Sequence, residues 1–186
     1  MRVISGLLKG RRYDPPAGKW PTRPTTDFSK EALYNILENR MSFENIKVLD
    51  LFGGSGSHTY ETISRGAGQV IYVDKFHGCH KFVRTMLAEW SIQQKVTMIR
   101  QDVFRFIPSC SGTFSYIFAG PPYGMPGLDT IPDLIFDKGL LKPDGIFVLE
   151  HNQHHSFTDH PFFSDVRNYG QTHFSFFEIR KNENGI

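Results

Sequence analysis

From Lys47 onward the chain falls into short apolar runs separated by longer amphipathic stretches. "KVLDLF", "QVIYVD", "KVTMIRQD", "FSYIFA" and "GIFVLEH" have the length and the β-branched and aromatic content of buried strands. Between the first three runs, and between the last two, the pattern is helical. In the clearest case Phe82, Val83, Met86, Leu87 and Trp90 form a stripe on one helix face, which reads as core. Strands alternating with helices predict a parallel, doubly wound sheet. The end of the chain breaks this rhythm: "FFSDVRNYG" and "HFSFFEIR" leave room only for a short turn, so they must pair antiparallel. Before Lys47, "RVISGLLKGRRYD" alternates around Gly6 and Gly10 and predicts a small hairpin-like extension, after which "PPAGKWPTRPTTD" interrupts regular structure. Phe28, Leu33, Ile36, Leu37 and Met41 then predict a helix over about residues 28–40, with Thr26 or Asp27 as N-cap.

Composition narrows the class. The 186 residues suit one domain with a short appendage, divided by the pattern into an N-terminal basic extension and helix over 1–44 and the alternating domain over 45–186. At 39% hydrophobic and 22% charged, with no apolar run near 18 residues and no signal-peptide core at the start, the chain is expected to be soluble and cytoplasmic, with no membrane partner. Cys79 and Cys110 stand 31 residues apart without the spacing of a zinc or redox pair, which suits a reducing compartment. The net charge of +2 hides an asymmetry: residues 1–23 carry six Lys and Arg against one Asp, a formal +5, leaving −3 on the rest. A basic arm on a mildly acidic body suits a polyanion, because phosphates reward clustered cations through counterion release.

In an open α/β sheet ligands bind beyond the carboxyl ends of the strands, so candidate chemistry is sought there. After the first run comes "GGSGS", where Gly54 and Gly56 let the backbone pass close to a ligand, with Asp50 at the strand end. A dinucleotide fingerprint would have a third glycine where this chain has Thr59, which weakens a nicotinamide reading. Asp74 closes the second strand and can accept both hydroxyls of a ribose, a role common to NAD and S-adenosylmethionine (SAM) sites. Asp102 closes the third, placed for an adenine amino group, with Val103 as an apolar contact. Five alternating units capped by an antiparallel hairpin is the order of a class I, SAM-dependent methyltransferase sheet: Rossmann-like, seven-stranded and mostly parallel. A nicotinamide-binding sheet would continue parallel.

The fourth run ends in Gly120, Pro121, Pro122 and Tyr123. Consecutive prolines leave preceding carbonyls without an amide partner of their own, and Tyr123 can stack on a base, worth roughly 1–3 kcal/mol. The loop is similar to the Asp/Asn-Pro-Pro-Tyr/Phe motif of methyltransferases that act on exocyclic amines of nucleobases. With "RVISGLLKGRR", "RPTTDFSKEALYNIL", "VLDLFGGSGS", "SRGA", "LLKPDGIFVLEH" and "YGQTHFSFFE", nearly the whole chain resembles the RsmD family, bacterial SAM-dependent methyltransferases of guanine N2 in 16S rRNA. The resemblance implies SAM as cofactor and 16S rRNA or the small ribosomal subunit as partner. It places Asp50, Gly54 and Gly56 around the methionine part of SAM, Asp74 on the ribose and Asp102 on the adenine, with Phe52, Lys75 and Val103 completing the cofactor-site residues. Gly120, Pro121, Pro122 and Tyr123 would form the catalytic, base-holding loop. Arg11 and Arg12 of the arm, and Arg23, Pro24, Thr25 and Lys30 of the N-terminal signature, would contact RNA.

Three positions depart from the family pattern. His58 and Thr59 replace Leu and Gly, changes expected to alter helix packing without an obvious polar contact. Gly120 stands where the family has Asp, a carboxylate that would accept from the target amine and whose loss commonly costs about 10²–10⁴-fold in rate. Two alternatives therefore stand beside guanine methylation: a catalytically weak RNA-binding or ribosome-assembly module on the same fold, and an adenine-N6 methyltransferase sharing the loop. The stretch "EHNQHHSFTDH" holds His151, His154, His155 and His160 in a predicted loop. Its spacing matches no standard metal set, and no metal is expected.

Overall fold

A computed structural model describes residues 1–16, 20 and 26–179. Arg23, Pro24 and Thr25 lie outside the described residues. The order of elements is α1 (Asp27–Glu38), β1 (Lys47–Leu51), α2 (Ser57–Ser64), β2 (Gln69–Asp74), α3 (His77–Glu89), β3 (Val96–Arg100), α4 (Val103–Ser109), β4 (Phe114–Ala119), α5 (Ile131–Asp137), β5 (Leu141–His151), β6 (Phe163–Tyr169) and β7 (Thr172–Glu178). The sheet runs β3-β2-β1-β4-β5-β7-β6. β1 to β5 are parallel, and β7 runs antiparallel to both β5 and β6. This is the class I methyltransferase sheet that the strand pattern predicts.

Strand alternation builds two cores. Val48, Val70, Tyr72, Tyr116, Phe118 and Val148 point to the face covered by α1, α2 and α3, whereas Leu49, Leu51, Val73, Ile117, Ala119 and Leu149 point to the face covered by α4 and α5. The predicted α3 stripe packs into the first core. Thr26 is the N-cap of α1, its hydroxyl accepting from the Ser29 amide at 3.1 Å. The pattern gave no helix between the third and fourth strands, yet α4 is there; it spans seven residues with Pro108 inside, too short to show a full amphipathic repeat. Among the described residues no helix is long and apolar enough to cross a membrane.

Residues 1–13 are sewn onto α2. Arg2 and Arg12 form an isolated antiparallel bridge, and Val3, Leu8 and Tyr13 are buried in the first core. The Glu61 carboxylate accepts from the amides of Ile4 (2.9 Å) and Ser5 (3.1 Å) and from Arg65 Nε (2.9 Å). Leu8 N–H donates to Ser64 Oγ at 2.8 Å, and the Tyr13 hydroxyl to Ser57 Oγ at 2.9 Å. Lys30, expected at the RNA surface, instead has a side chain 0% exposed, with Nζ 2.6 Å from the Arg2 carbonyl and 3.6 Å from Glu61. Burial draws its pKa below the ordinary lysine value, with Glu61 opposing. A lysine so enclosed fastens the extension to the body and cannot reach RNA.

Candidate functional site

The strand order reverses its direction of growth between β1 and β4, which opens a crevice at their carboxyl ends. The glycine-rich loop follows one of these strands and the Pro-Pro-Tyr loop the other. The two loops leave neighbouring strands, whose last ladder bond is donated by the Gly120 amide to the Leu51 carbonyl at 3.2 Å. Phe52, which opens the first loop, holds a left-handed backbone (φ 57°), a conformation that costs a non-glycine residue energy and is concentrated at ligand sites. Gly56 turns the chain into α2 at φ 81°, and a Cβ there would lie 2.6 Å from the Tyr60 ring, so only glycine fits.

Three carboxylates line the near side of the crevice, each held by main-chain donors. Asp74 Oδ2 accepts the Gly54 amide at 3.0 Å and Oδ1 the Phe76 amide at 2.7 Å, tying the glycine loop to the end of β2. Asp102 lies beyond the end of β3 and caps α4, its Oδ1 accepting from Phe104 N–H at 3.0 Å; Lys75 reaches its Oδ2 at 3.4 Å. Val103 is buried as the first residue of that helix. Asp50 is buried inside β1, and its Oδ2 accepts both the amide (3.0 Å) and the hydroxyl (2.6 Å) of Thr59. Thr59 therefore makes a polar contact that its replacement of glycine did not announce in the sequence. Among the described residues Asp50 Oδ1 has no hydrogen-bond partner. Burial pushes this carboxyl up to about 7, against the lowering effect of the two Thr59 bonds.

The far side is organised by side chains. The Tyr123 hydroxyl donates to Glu150 Oε1 at 2.7 Å and lies 3.2 Å from Thr172 Oγ1, across the end of β5 and the β6–β7 turn. His155 Nε2 lies 3.1 Å from the Tyr123 carbonyl and Nδ1 2.6 Å from Asp129, bracing the loop from outside. His151 bonds Ser175 at 2.8 Å within the sheet, and His160 faces Asp133. The histidine-rich stretch thus divides into structural braces, and among the described residues no cluster of three or more His, Cys, Asp or Glu could hold a metal. Pro121 is buried and Pro122 exposed; the Pro122 carbonyl takes the Met125 amide at 2.9 Å.

Gly120 is half-buried beneath this loop. A Cβ added to it would sit 3.0 Å from Cε1 of Phe118, a tight contact that requires the ring to give by a few tenths of an ångström. The Phe118 ring has little room to yield, since His58 stacks on it with ring centroids 3.4 Å apart and planes 17° apart. His58 is itself held by Tyr34, whose hydroxyl is 3.2 Å from Nδ1, while its Nε2 has no hydrogen-bond partner among the described residues. Burial keeps the ring well below the usual histidine range and so neutral. Two of the three departures, His58 and Gly120, are therefore in physical contact through one phenylalanine.

On the arm, Arg11 lies over the Trp90 ring at 5.8 Å, and the side chains of Arg11 and Arg12 are exposed. Trp20 packs edge-on to Phe76 and Phe82 of the α3 region.

Comparison with known proteins decides the family. A family profile described as "Conserved hypothetical protein 95" matches residues 1–178. YlbH of Bacillus subtilis (strain 168), a protein named for rRNA methylation, is 35% identical over 156 residues, covering 82% of this chain and 83% of its own. The chain belongs to the RsmD family. Another relative of this RsmD-like chain, the Haemophilus influenzae "Ribosomal RNA small subunit methyltransferase D", is 28% identical over 153 residues, 81% of this chain and 78% of its own. Among solved structures, YhhF of Escherichia coli, named for methyl transfer, superposes with a TM-score of 0.83 at 23% identity over 97% of this chain and 99% of its own. Its likeness shows that the fold is shared over nearly the whole length of both chains.

Proposed function

We propose that the chain is a cytoplasmic, SAM-dependent rRNA methyltransferase that transfers a methyl group to N2 of a guanine in 16S rRNA. The observation that carries the reading is the placement of the glycine-rich and Pro-Pro-Tyr loops at the carboxyl ends of the paired strands β1 and β4, in a family whose relatives are named for rRNA methylation. SAM fits the near side on one observation of this chain: the buried Asp50 Oδ1 lacks a donor, and the methionine ammonium would supply one. Asp74 and Asp102, already oriented by the Gly54, Phe76 and Phe104 amides, would accept from the ribose hydroxyls and the adenine amine. Phe52 and Val103 would contribute apolar contacts, and Lys75 would fix Asp102. Bound SAM supplies an electrophilic methyl on sulfonium. The Pro-Pro-Tyr loop would hold the base flat against Tyr123, so that proximity and orientation provide much of the rate. Arg11 and Arg12, together with Arg23, Pro24 and Thr25, would contact the RNA backbone.

Incubation with labelled SAM and 16S rRNA, naked or in the small subunit, followed by mass analysis of nucleosides, tests this. N2-methylguanosine is the expected product. N6-methyladenosine would favour the adenine alternative. Intact SAM and RNA binding without transfer would favour the weak RNA-binding module, the second reading that Gly120 supports.

A further inference from the structure

A cleft of about 500 Å³ opens between α3 and β3, the strand at one edge of the sheet. Lys81 and Arg84 line it from the helix and Arg100 from the strand, with His77 and His80 beside them. All three cations are exposed, and among the described residues no acid lines the cleft. Neither Lys81 nor Arg84 has an acidic residue three or four positions away, where a compensating charge would stabilise the helix. The two instead stand three positions apart, a like-charged pairing that weakens it. Arg100 Nη1 lies 3.1 Å from His77 Nδ1. A guanidinium only donates, so this nitrogen accepts, and the neutral ring carries its proton on Nε2 as a further donor. These cations are gathered on a body, residues 24–186, whose formal charge is −3.

We propose that this cleft holds the phosphodiester backbone of the RNA on one flank of the nucleotide to be methylated. The inference rests on the rRNA-directed reading above and adds a contact on the body of the protein, apart from the arm. Cations that lack acids of their own gain from phosphates what the helix does not give them, because each neutralised phosphate releases counterions. Two placements favour the strand that carries the target base. Arg100 is paired in register with Asp74, so the cleft opens at the same carboxyl edge of the sheet as the crevice. β3 stands two strands from β1, a step of about 10 Å, or roughly three stacked nucleotides. His80, which also lines the cleft, ties the helix to that edge, its Nε2 lying 2.8 Å from the Asp74 carbonyl. Phosphates look alike beside every base, so the cleft contributes affinity and positioning and leaves the choice of base to the crevice.

Solvated surface cations would weaken RNA binding wherever they were removed, and the test separates that general effect from a site. Binding of naked 16S rRNA is measured at a series of salt concentrations for the wild type and two variants. One is Lys81→Gln with Arg84→Gln; the other, Lys138→Gln with Lys142→Gln, removes the same charge at the opposite, amino-terminal edge of the strands. The cleft variant should flatten the slope of log affinity against log salt by about 1.4 to 1.8, the value for two lost phosphate contacts, and the control should leave it near the wild type. Lys81→Arg with Arg84→Lys should keep the wild-type slope, and SAM affinity in calorimetry should be the same in every variant. Inorganic phosphate, titrated while the amide signals of Lys81, Arg84 and Arg100 are followed by NMR, should bind weakly. Tight phosphate binding with an unchanged RNA slope would mark a site for a small free anion and overturn the RNA assignment. Equal flattening in the cleft and control variants, no flattening in the cleft variant, or flattening that comes only with lost SAM affinity would overturn it too. N2-methylguanosine formed while the cleft variant keeps its slope would remove the cleft and leave the proposed activity; a flattened slope in a protein that transfers no methyl group would do the reverse.

Discussion

The two sides of the β1/β4 crevice are built by different means. On the near side, Asp50, Asp74 and Asp102 are each held by backbone amides, of Thr59, Gly54, Phe76 and Phe104. On the far side the two prolines have no amide hydrogens to give, and side chains hold the loop instead: Glu150 and Thr172 on Tyr123, His155 on its carbonyl, His58 behind Phe118. Main-chain donors are present whatever the sequence, so the near side keeps its shape as long as its acids remain. A site held by side chains can be retuned by changing the braces, and Gly120 with its neighbour His58 lies there.

The largest expected effect sharpens this contrast. Gly120→Asp alone should raise methyl transfer little, because its Cβ meets a phenylalanine that His58 prevents from moving. Gly120→Asp with His58→Leu frees the ring and should raise single-turnover transfer by about 10²-fold, the usual contribution of a positioned acceptor. An equal gain from the single variant would show that the stacking does not constrain position 120. On the near side, Asp74→Ala should weaken SAM binding by about 10- to 100-fold in calorimetry, since hydrogen bonds to a charged acceptor are strong and the glycine loop loses its tie to β2. His155→Ala should lower transfer by roughly 10-fold through misplacement of the loop, with SAM affinity unchanged. The smallest effect concerns pH. With Asp50 raised to about 7 by burial, the folded chain keeps a proton at pH values above about 3.9 that the unfolded chain has lost, so this group makes stability fall as pH rises toward 7. In Asp50→Asn that contribution disappears, and its melting temperature should gain on the wild type by a few degrees between pH 4 and pH 7. A constant difference across that range would mean that Asp50 is ionised throughout.

The sheet was legible because five apolar runs and a closing pair leave few ways to be arranged, and the same runs located the crevice. Asp74, Asp102 and Tyr123 were found as candidates because strand ends are where an α/β sheet binds. What escaped the sequence depended on contacts between distant residues. Lys30 has the surroundings of a surface cation in the linear sequence, and only the return of residues 2–5 and the approach of α2 bury it. Glu150 reads as the end of a buried strand until the β6–β7 turn brings Thr172 beside it. The histidine-rich stretch shows no role in its spacing, because Asp129, Asp133 and Ser175, its partners, lie on other elements. Helix α4 was hidden by its shortness and its proline.

Glu61 carries a consequence for how the protein is made. The amides of Ile4 and Ser5, the Tyr13 hydroxyl and the Lys30 ammonium all find their partners on α2, at Glu61 and Ser57. Synthesis delivers these partners some fifty residues after the arm, so the arm cannot dock until α2 has emerged and turned toward it. Closing so long a loop costs only slightly more than closing a short one, but it must await the partner. The arm is made before the helix on which it docks, and the acid that receives it sets the moment when these residues can pack onto the sheet.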